Sequence, residues 1–255
     1  MKKTLYTLAG ILCLAMAAFF AWKSVPKKAP EKPALVKEAT VAVAERGATL
    51  QPDIEQGYVS PIDFAALEDM NEDIYAWLYI PGTEINHPIL QSVRGDNDYY
   101  LTHTVDRQED ENGCLFTEYL YSDKDFNVPV TVIYGHRRRS GDMFGQLQTL
   151  YAVTGSLEQY SEIIVYLPER ELHYQVFAES EFSNMHIPNH YKRFHDKADI
   201  LTFLSELKSY HTMTKQFDES VPITENDKLL ILSTCLAQNE DQRFLVLAKL
   251  IEEIS

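Results

Sequence analysis

Three residues of this chain have side chains suited to acyl-transfer chemistry. Cys235 closes the apolar run KLLILSTC, Arg243 follows it, and His136 comes directly after the run VPVTVIYG. A thiolate is a nucleophile, and a nearby imidazole or guanidinium favours the thiolate over the thiol. The imidazole can also protonate a departing amine, and arginine keeps its charge and offers several donors to an oxyanion. These residue types predict acyl transfer through a thioester on Cys235.

The flanking sequence predicts how these three residues meet. His136 follows its strand on the same alternating face as Val132 and Tyr134, which would leave it at the rim of the sheet. Only LAQNEDQ separates Cys235 from Arg243, so the two flanking strands can form a hairpin that returns Arg243 beside the thiol.

Taken singly, each of these residues has a common structural explanation. A cysteine that closes a strand is usually core, a histidine after glycine usually lies in a loop, and an arginine that opens a strand is usually exposed. A metal site would need a ligand pair at a spacing that is absent around Cys235 and His136, so we predict no metal and no cofactor. The histidines of MHIPNHYKRFH indicate a polar loop, and RRR at 137–139 is either solvated or a source of positive field.

The periodicity predicts a mostly β fold with few helices. Apolar alternation and turn residues indicate strands in WLYIPGTEINHPIL, GCLFTEY, VPVTVIYGH, SEIIVYLPE, ELHYQVFAESEF, KLLILSTC and RFLVLAKL. A first helix is expected in SPIDFAALEDMNEDIYAWL, capped by Ser60 with Pro61 at its first position, and others in GDMFGQLQTLY and KADILTFLSELKSY. Many short strands with few helices suggest a closed or nearly closed β-barrel.

Composition limits the function classes. The 255 residues carry a net charge of −15 and 45% hydrophobic residues, enough for a full core. Residues 1–33 hold six Lys and one Glu, a net +5, so residues 34–255 carry −20, which argues against nucleic-acid binding. Cys13 and Cys114 lie in apolar surroundings, and neither pairs obviously with Cys235, which predicts a free thiol at 235.

The amino-terminal sequence predicts an exported, membrane-anchored domain. Residues 4–22 form an uncharged stretch about as long as the ~20 residues that span a bilayer, and residues 23–58 begin as a Pro- and Lys-rich tether. Residues 1–3 would be a short cytoplasmic end and residues 59–255 the extracellular domain. A cleaved signal peptide, with AMA at 15–17 as the cleavage site, is the alternative. The lysines on both flanks favour the opposite orientation, but large domains are translocated largely regardless of charge.

The motif LSTC with an arginine eight residues later, preceded by a strand that ends in YGH, resembles the sortases over roughly residues 60–255. Sortases are membrane-anchored transpeptidases of Gram-positive surfaces. They cut a C-terminal sorting motif after Thr and pass the acyl group to an amine. The resemblance implies a closed eight-stranded β-barrel with catalytic His136, Cys235 and Arg243. It also implies surface proteins that bear the motif as one partner, and an amine of the cell wall as the acceptor.

Within the family, the helix KADILTFLSELKSY between two late strands and a helical amino-terminal segment resemble class B. By the same resemblance, the segments NDYYL, YGH and STC supply substrate-cleft residues, namely Asn97, Leu101, Tyr134 and Ser233. Two positions depart from the family pattern, because Ile231 replaces a usual Thr and Leu236 replaces a polar or acidic residue. These two departures bear on which substrate the enzyme would prefer and not on its chemistry.

Other functions remain open at this stage. Pilin-polymerising class C sortases typically add a carboxy-terminal membrane segment and a lid with Asp-Pro, whereas this chain ends in LIEEIS and has no Asp-Pro. Some class B-like enzymes also join pilins through a lysine amine, so that activity stays an alternative. A papain-like hydrolase would usually carry its cysteine before its histidine, the reverse of this order. A non-catalytic surface binding module would need none of the three residues.

Overall fold

The computed structural model describes residues 57–255, except for residues 94, 139, 237, 238 and 240. The predicted anchor at 4–22 and residues 23–56 of the predicted tether lie outside this part of the chain. Among the described residues, no helix is both long enough and apolar enough to cross a bilayer.

Nine strands form one sheet in the described part of the chain. They are β1 (Ile74–Tyr79), β2 (Asn86–Leu90), β3 (Leu115–Phe116), β4 (Val130–Tyr134), β5 (Glu162–Tyr166), β6 (Glu171–Ser183), β7 (Lys215–Phe217), β8 (Leu229–Cys235) and β9 (Gln242–Ile254). The order across the sheet is β5-β1-β2-β3-β4-β8-β9-β6-β7, and β5 also pairs with β6. That last pairing closes eight strands into a ring and leaves β7 attached outside it, on β6. The predicted eight-stranded β-barrel is therefore confirmed.

Two apolar clusters lie on opposite faces of the barrel wall. The first takes side chains from all eight strands of the ring, among them Ile89, Leu115, Leu232 and Phe244, and so fills the barrel interior. The second takes the alternate residues of β4, β6, β8 and β9 and so lies on the outer face. Burying each large apolar side chain contributes about 1.5–3 kcal/mol to folding, so both clusters stabilise the wall between them.

The outer cluster is covered by the chain that links β6 to β7. This chain contains helices α4 (Ile187–His190) and α5 (Ala198–Ser209), with a 3₁₀ turn at Lys192–Phe194 between them. Helix α5 buries Ile200, Phe203, Leu204 and Leu207 against the wall, whereas Leu201 is exposed. The predicted helix in the late inter-strand segment is confirmed, and its apolar stripe packs as expected except at Leu201.

The first helix differs from its prediction. Helix α1 spans only Phe64–Met70, and its N-cap is Asp63, whose side chain accepts a hydrogen bond from the amide of Ala66 at 3.0 Å. Ser60 and Pro61 are not the cap, so that prediction was wrong. The following residues form β1, because its β-branched and aromatic residues bury well in a strand. Two further helices, α2 (Leu147–Tyr151) and α3 (Ser156–Gln159), connect β4 to β5.

Candidate active site

Cys235 and Arg243 are paired residues at one end of the β8–β9 hairpin. The antiparallel register runs from Leu229 opposite Lys249 to Cys235 opposite Arg243. Directly opposite residues of an antiparallel pair point to the same face, with their Cβ atoms about 4.5–5.5 Å apart. Both side chains are half-buried, and Nη1 of Arg243 donates to the carbonyl oxygen of Gln242 at 3.2 Å. The hairpin predicted from the sequence is confirmed.

His136 reaches the same place through the parallel pairing of β4 with β8. In this register Tyr134 lies opposite Ser233, and the amide of Gly135 donates to the carbonyl of Ser233 at 3.2 Å. The ladder ends at this pair, and its direction carries the chain of β4 towards Cys235, so that His136 follows two residues after Tyr134 as Cys235 follows two residues after Ser233. Alternation places Tyr134, His136, Ser233, Cys235 and Arg243 on one face, the outer face of the barrel.

The imidazole of His136 is held by a backbone carbonyl. Its Nε2 lies 2.7 Å from the carbonyl oxygen of Leu101, at the end of a 3₁₀ turn that spans Tyr99–Leu101. A carbonyl oxygen only accepts, so Nε2 carries the hydrogen of this bond.

Gly135 lets the chain approach the barrel core just before His136. A Cβ at this position would lie 2.3 Å from Cδ2 of Leu115 and 2.7 Å from Cδ2 of Phe144. Both neighbours are buried, so a larger residue would have to push the strand outwards. The glycine of the YGH segment therefore sets how close His136 lies to the wall.

The predicted substrate residues occupy different environments. Leu101, whose carbonyl contacts His136, is 38% exposed. Asn97 is half-buried, and its Oδ1 accepts from the amide of Leu120 at 3.3 Å, so this side chain also braces a neighbouring loop. The ring of Tyr134 stacks on Phe116 at 5.5 Å. Ser233 shares the outer face with Cys235 but is buried under its neighbours.

Both departures from the family pattern are buried. Ile231 belongs to the outer cluster beneath the β6–β7 segment, and Leu236 belongs to the barrel interior. Apolar side chains at these two positions therefore serve packing in this chain.

A carboxylate and imidazole pair that the sequence analysis did not identify lies beside Tyr134. Nε2 of His186 is 3.0 and 2.8 Å from the two carboxylate oxygens of the buried Glu118, and this bond raises the pKa of His186. Nδ1 of His186 accepts from the amide of Asn189, which caps α4. The pair thus ties the β6–β7 segment to the chain after β3. Residues 118 and 186 are far apart in sequence, and only the fold brings them together.

Burial and this carboxylate also affect Tyr134. They raise the pKa of its phenol well above the ordinary value, while the charge of Arg243 acts in the opposite direction. The phenol therefore stays neutral, and Glu118, Tyr134 and His186 form a polar wall in which the rings of Tyr134 and His186 lie 6.4 Å apart.

The second described cysteine is chemically inert. Cys114 and Cys235 are both free thiols, which confirms that they form no disulfide with each other. Burial, and then the carboxylates of Asp106 and Asp110, raise the pKa of Cys114 to about 12. Its Sγ lies 3.4 Å from the carbonyl oxygen of His103, to which it can donate. Cys114 therefore remains a protonated packing residue, as predicted.

The arginine run at 137–139 lies beside His136. Arg137 and Arg138 line an open cavity of about 420 Å³ together with His136 and Glu111, and Nη1 of Arg138 is 3.6 Å from Asp142. Arg139 lies outside the described residues. The two described arginines are half-buried, which fits the positive-field interpretation better than a fully solvated run.

Comparisons with known proteins give the family of this fold and site. The sortase domain model matches residues 78–251. Sortase B of Listeria monocytogenes serovar 1/2a is 29% identical over 200 residues, which cover 72% of each chain. Sortase B of Staphylococcus aureus is 26% identical over 253 residues, which cover 98% of each chain. A structure of the Staphylococcus aureus sortase B-substrate complex superposes with a TM-score of 0.65 and 26% identity, covering 86% of this chain and 93% of that one. The chain therefore belongs to the sortase family of cysteine transpeptidases, and its relatives place it with class B.

Proposed function

We propose that this transpeptidase cleaves a C-terminal sorting motif of surface proteins after Thr and transfers the acyl group to an amine of the cell wall. Cys235 is the nucleophile, His136 the acid and base, and Arg243 the oxyanion ligand. The observation that supports this assignment is the double register at the end of β8, where Arg243 is paired with Cys235 on one side and β4 delivers His136 on the other.

Acylation uses all three side chains. The Cys235 thiolate attacks the carbonyl carbon of the scissile peptide bond, and the carbonyl oxygen becomes an oxyanion held by the guanidinium of Arg243. When the C–N bond breaks, the imidazolium of His136 gives its proton to the departing amine. The products are a thioester on Cys235 and a free amine on the released fragment.

Deacylation reverses these roles. An acceptor amine attacks the thioester carbon and gives a proton to the neutral imidazole of His136. Arg243 again holds the oxyanion, and the C–S bond breaks to regenerate the thiolate. A new amide bond joins the surface protein to the acceptor, and the imidazole is again protonated for the next cycle.

We assign the sorting motif to the outer face of β4 and β8, next to the wall formed by Glu118, Tyr134 and His186. Leu101 offers exposed apolar surface there, and the half-buried Asn97 offers a polar group beside it, whereas the hydroxyl of Tyr134 is buried and its ring lines the wall. Ser233 is buried between these strands, so in this proposal it shapes the floor of the cleft without extensive contact with the peptide.

The location of the enzyme is part of the proposal. Residues 4–22 would anchor the chain in the cell membrane, and the Pro- and Lys-rich tether would hold the catalytic domain outside the cell near its cell-wall acceptor. Fractionation of the native host followed by protease treatment of intact cells tests this. Degradation of the membrane-bound chain from outside supports it, and protection of the domain inside contradicts it.

The enzymatic proposal is tested with the purified full chain, an array of sorting peptides and several amines, read by mass spectrometry. The expected result is a peptide cut after Thr, a thioester mass on Cys235 and a product amide with a cell-wall-type amine. Product formation only with a lysine side-chain amine of a pilin would instead support the pilin-polymerising alternative. Peptide binding without a thioester, unchanged by Cys235→Ala, would support a non-catalytic binding module.

A further inference from the structure

The carbonyl group that holds His136 belongs to a tightly braced turn. The amide of Leu101 donates to the carbonyl of Asp98 at 2.8 Å, which closes the 3₁₀ turn. The next segment of the chain packs against the back of this turn, where the amide of Cys114 donates to the carbonyl of Tyr100 at 2.9 Å. The position of the Leu101 carbonyl therefore depends on how closely that segment approaches.

Gly113 lies at the point of closest approach. A Cβ at this position would be 2.4 Å from the carbonyl oxygen of Tyr100, 2.5 Å from that of Leu101 and 2.9 Å from the carbonyl carbon of Leu101. All three neighbours are backbone atoms, so no side-chain rotation can relieve the contact. The φ angle of Gly113 is +54°, in the region that glycine adopts readily and other residues seldom do.

We infer that Gly113 is a positioning residue for His136. Because Gly113 has no side chain, the Leu101 carbonyl can lie where it accepts the hydrogen of Nε2 of His136. Nδ1 is then the imidazole atom that exchanges protons with the thiol and the amines. This inference rests on the proposed catalytic role of His136 and adds to it the identity of the reacting nitrogen and the backbone that selects it.

The charged groups around the ring do not make this selection. Glu111, Arg137 and Arg138 share the open cavity with His136, and Cys235 and Arg243 lie on its strand-paired side. A point charge does not distinguish the two nitrogens of a neutral imidazole, because the choice between its two neutral tautomers needs a directed acceptor at one nitrogen. The Leu101 carbonyl, 2.7 Å from Nε2, is that acceptor.

Gly113→Ala in the full chain tests the positioning role, with Gly82→Ala as the matched control. Gly82 also has a positive φ, +77°, but a Cβ there would meet nothing within 4 Å, so this variant carries a similar backbone penalty without the collision. We expect Gly113→Ala to lower kcat by about 10- to 100-fold with little change in KM, since a displacement of about 1 Å can cost that much. Gly82→Ala should keep kcat within about twofold of the wild type, because its added methyl group lies in open space. A folded Gly113→Ala protein with wild-type kcat would overturn the inference.

A second measurement needs no variant at Gly113. Histidine labelled with ¹⁵N, with the His136 signals assigned by their loss in His136→Gln, reports the tautomer at alkaline pH, where free imidazoles are neutral. The inference requires the hydrogen on Nε2, and a hydrogen on Nδ1 overturns it. This result does not depend on finding a substrate. An inactive wild-type chain with the Nε2–H tautomer would therefore contradict the proposed function and leave the assignment of the nitrogen intact.

Discussion

Arg243 lies directly opposite Cys235 across the last pair of the β8–β9 ladder. The two side chains therefore point to the same face of the sheet and lie at the same level along the strands. This holds for any conformation of the turn between them. A guanidinium in this place can direct its donors at an oxygen on the carbon that the thiol attacks. It also lies close enough to Tyr134 for its charge to oppose the rise in the pKa of that phenol.

Arg243→Lys tests whether this guanidinium is needed for more than its charge. Lysine keeps the charge but loses the planar fork, so we expect a fall of about 100- to 1000-fold in the acylation rate, the usual effect of losing an oxyanion donor. Single-turnover formation of the thioester is the measurement. Iodoacetamide should still label Cys235, which shows that the thiol remains reactive. If the Lys variant acylates at the wild-type rate, Arg243 is not the oxyanion ligand, and backbone amides near Cys235 would have to bind the oxyanion.

Cys235→Ala is expected to abolish both peptide cleavage and thioester capture, because no other described cysteine can form the thiolate. The fold should survive, since a smaller side chain replaces a half-buried residue at the end of a strand. Cys114→Ala is the matched control: it should retain turnover and lower only the melting temperature, through lost packing. Turnover by a folded Cys235→Ala protein would contradict the assignment of the nucleophile.

His136→Asn removes the proton donor and acceptor while leaving a side chain of similar polarity. General acid–base catalysis typically contributes about 100- to 10,000-fold, so we expect turnover to collapse at every pH and not merely to shift its optimum. Rates measured from pH 5 to 10 decide between these results. A variant with near-normal rates would point to another acid, and His103 and His173 would be the first to examine.

His173 is expected to make the stability of the domain depend on pH. Its ring lies 2.9 Å from a carboxylate oxygen of Glu171 and 2.9 Å from one of Glu162, and hydrogen bonding to Glu171 is the main cause that raises its pKa from 6.5 to about 9. A raised pKa in the folded state means that the protonated ring stabilises the fold. This contribution is complete below about pH 6.5 and is lost as the pH rises through about 9.

Thermal unfolding at pH 6 and at pH 10 measures this effect. The wild type should be more stable than His173→Gln at pH 6, and the difference between the two proteins should shrink at pH 10. Catalytic rates at neutral pH should be similar, because His173 and its two carboxylate partners lie on the β5–β6 hairpin and not on the strands that carry the proposed catalytic residues. A difference in stability that does not change with pH would contradict the ion-pair explanation.

The sequence predicts the catalytic strands well because their signals are local. KLLILSTC and RFLVLAKL are apolar runs of strand length, and the short segment between them favours a hairpin, so the spacing predicts that Arg243 returns beside Cys235. The strand β7, only Lys215–Phe217, escapes prediction because so few residues carry no periodic signal, whereas the two-residue strand β3 lies within the predicted strand GCLFTEY. The first helix starts later than predicted because Asp63 is its cap, and it ends earlier because the residues from Ile74 onwards form β1.

The positioning contacts around the site are less predictable for a physical reason. The bond from His136 to the Leu101 carbonyl involves a backbone atom, which has no signature in the sequence. Glu118 and His186 meet only because β3 and the β6–β7 segment lie side by side in the folded barrel. One signal was available, since Gly113 stands directly before an apolar strand, where a glycine often marks close approach of the backbone.

The segment that covers the outer face begins after Ser183, the last residue of β6, and ends at Lys215 of β7, which is paired with Ser180 of β6. The pairing of β6 with β7 therefore holds the two ends of the segment close together. Because β7 lies outside the closed ring, the ring does not fix the length or the sequence of the segment. The strands β4, β8 and β9 position the three proposed catalytic residues, and this segment contributes His186 to the proposed peptide-binding wall. Grafting the corresponding segment of another sortase between these two positions offers a route to altered peptide preference with the nucleophile, the imidazole and the guanidinium left in place.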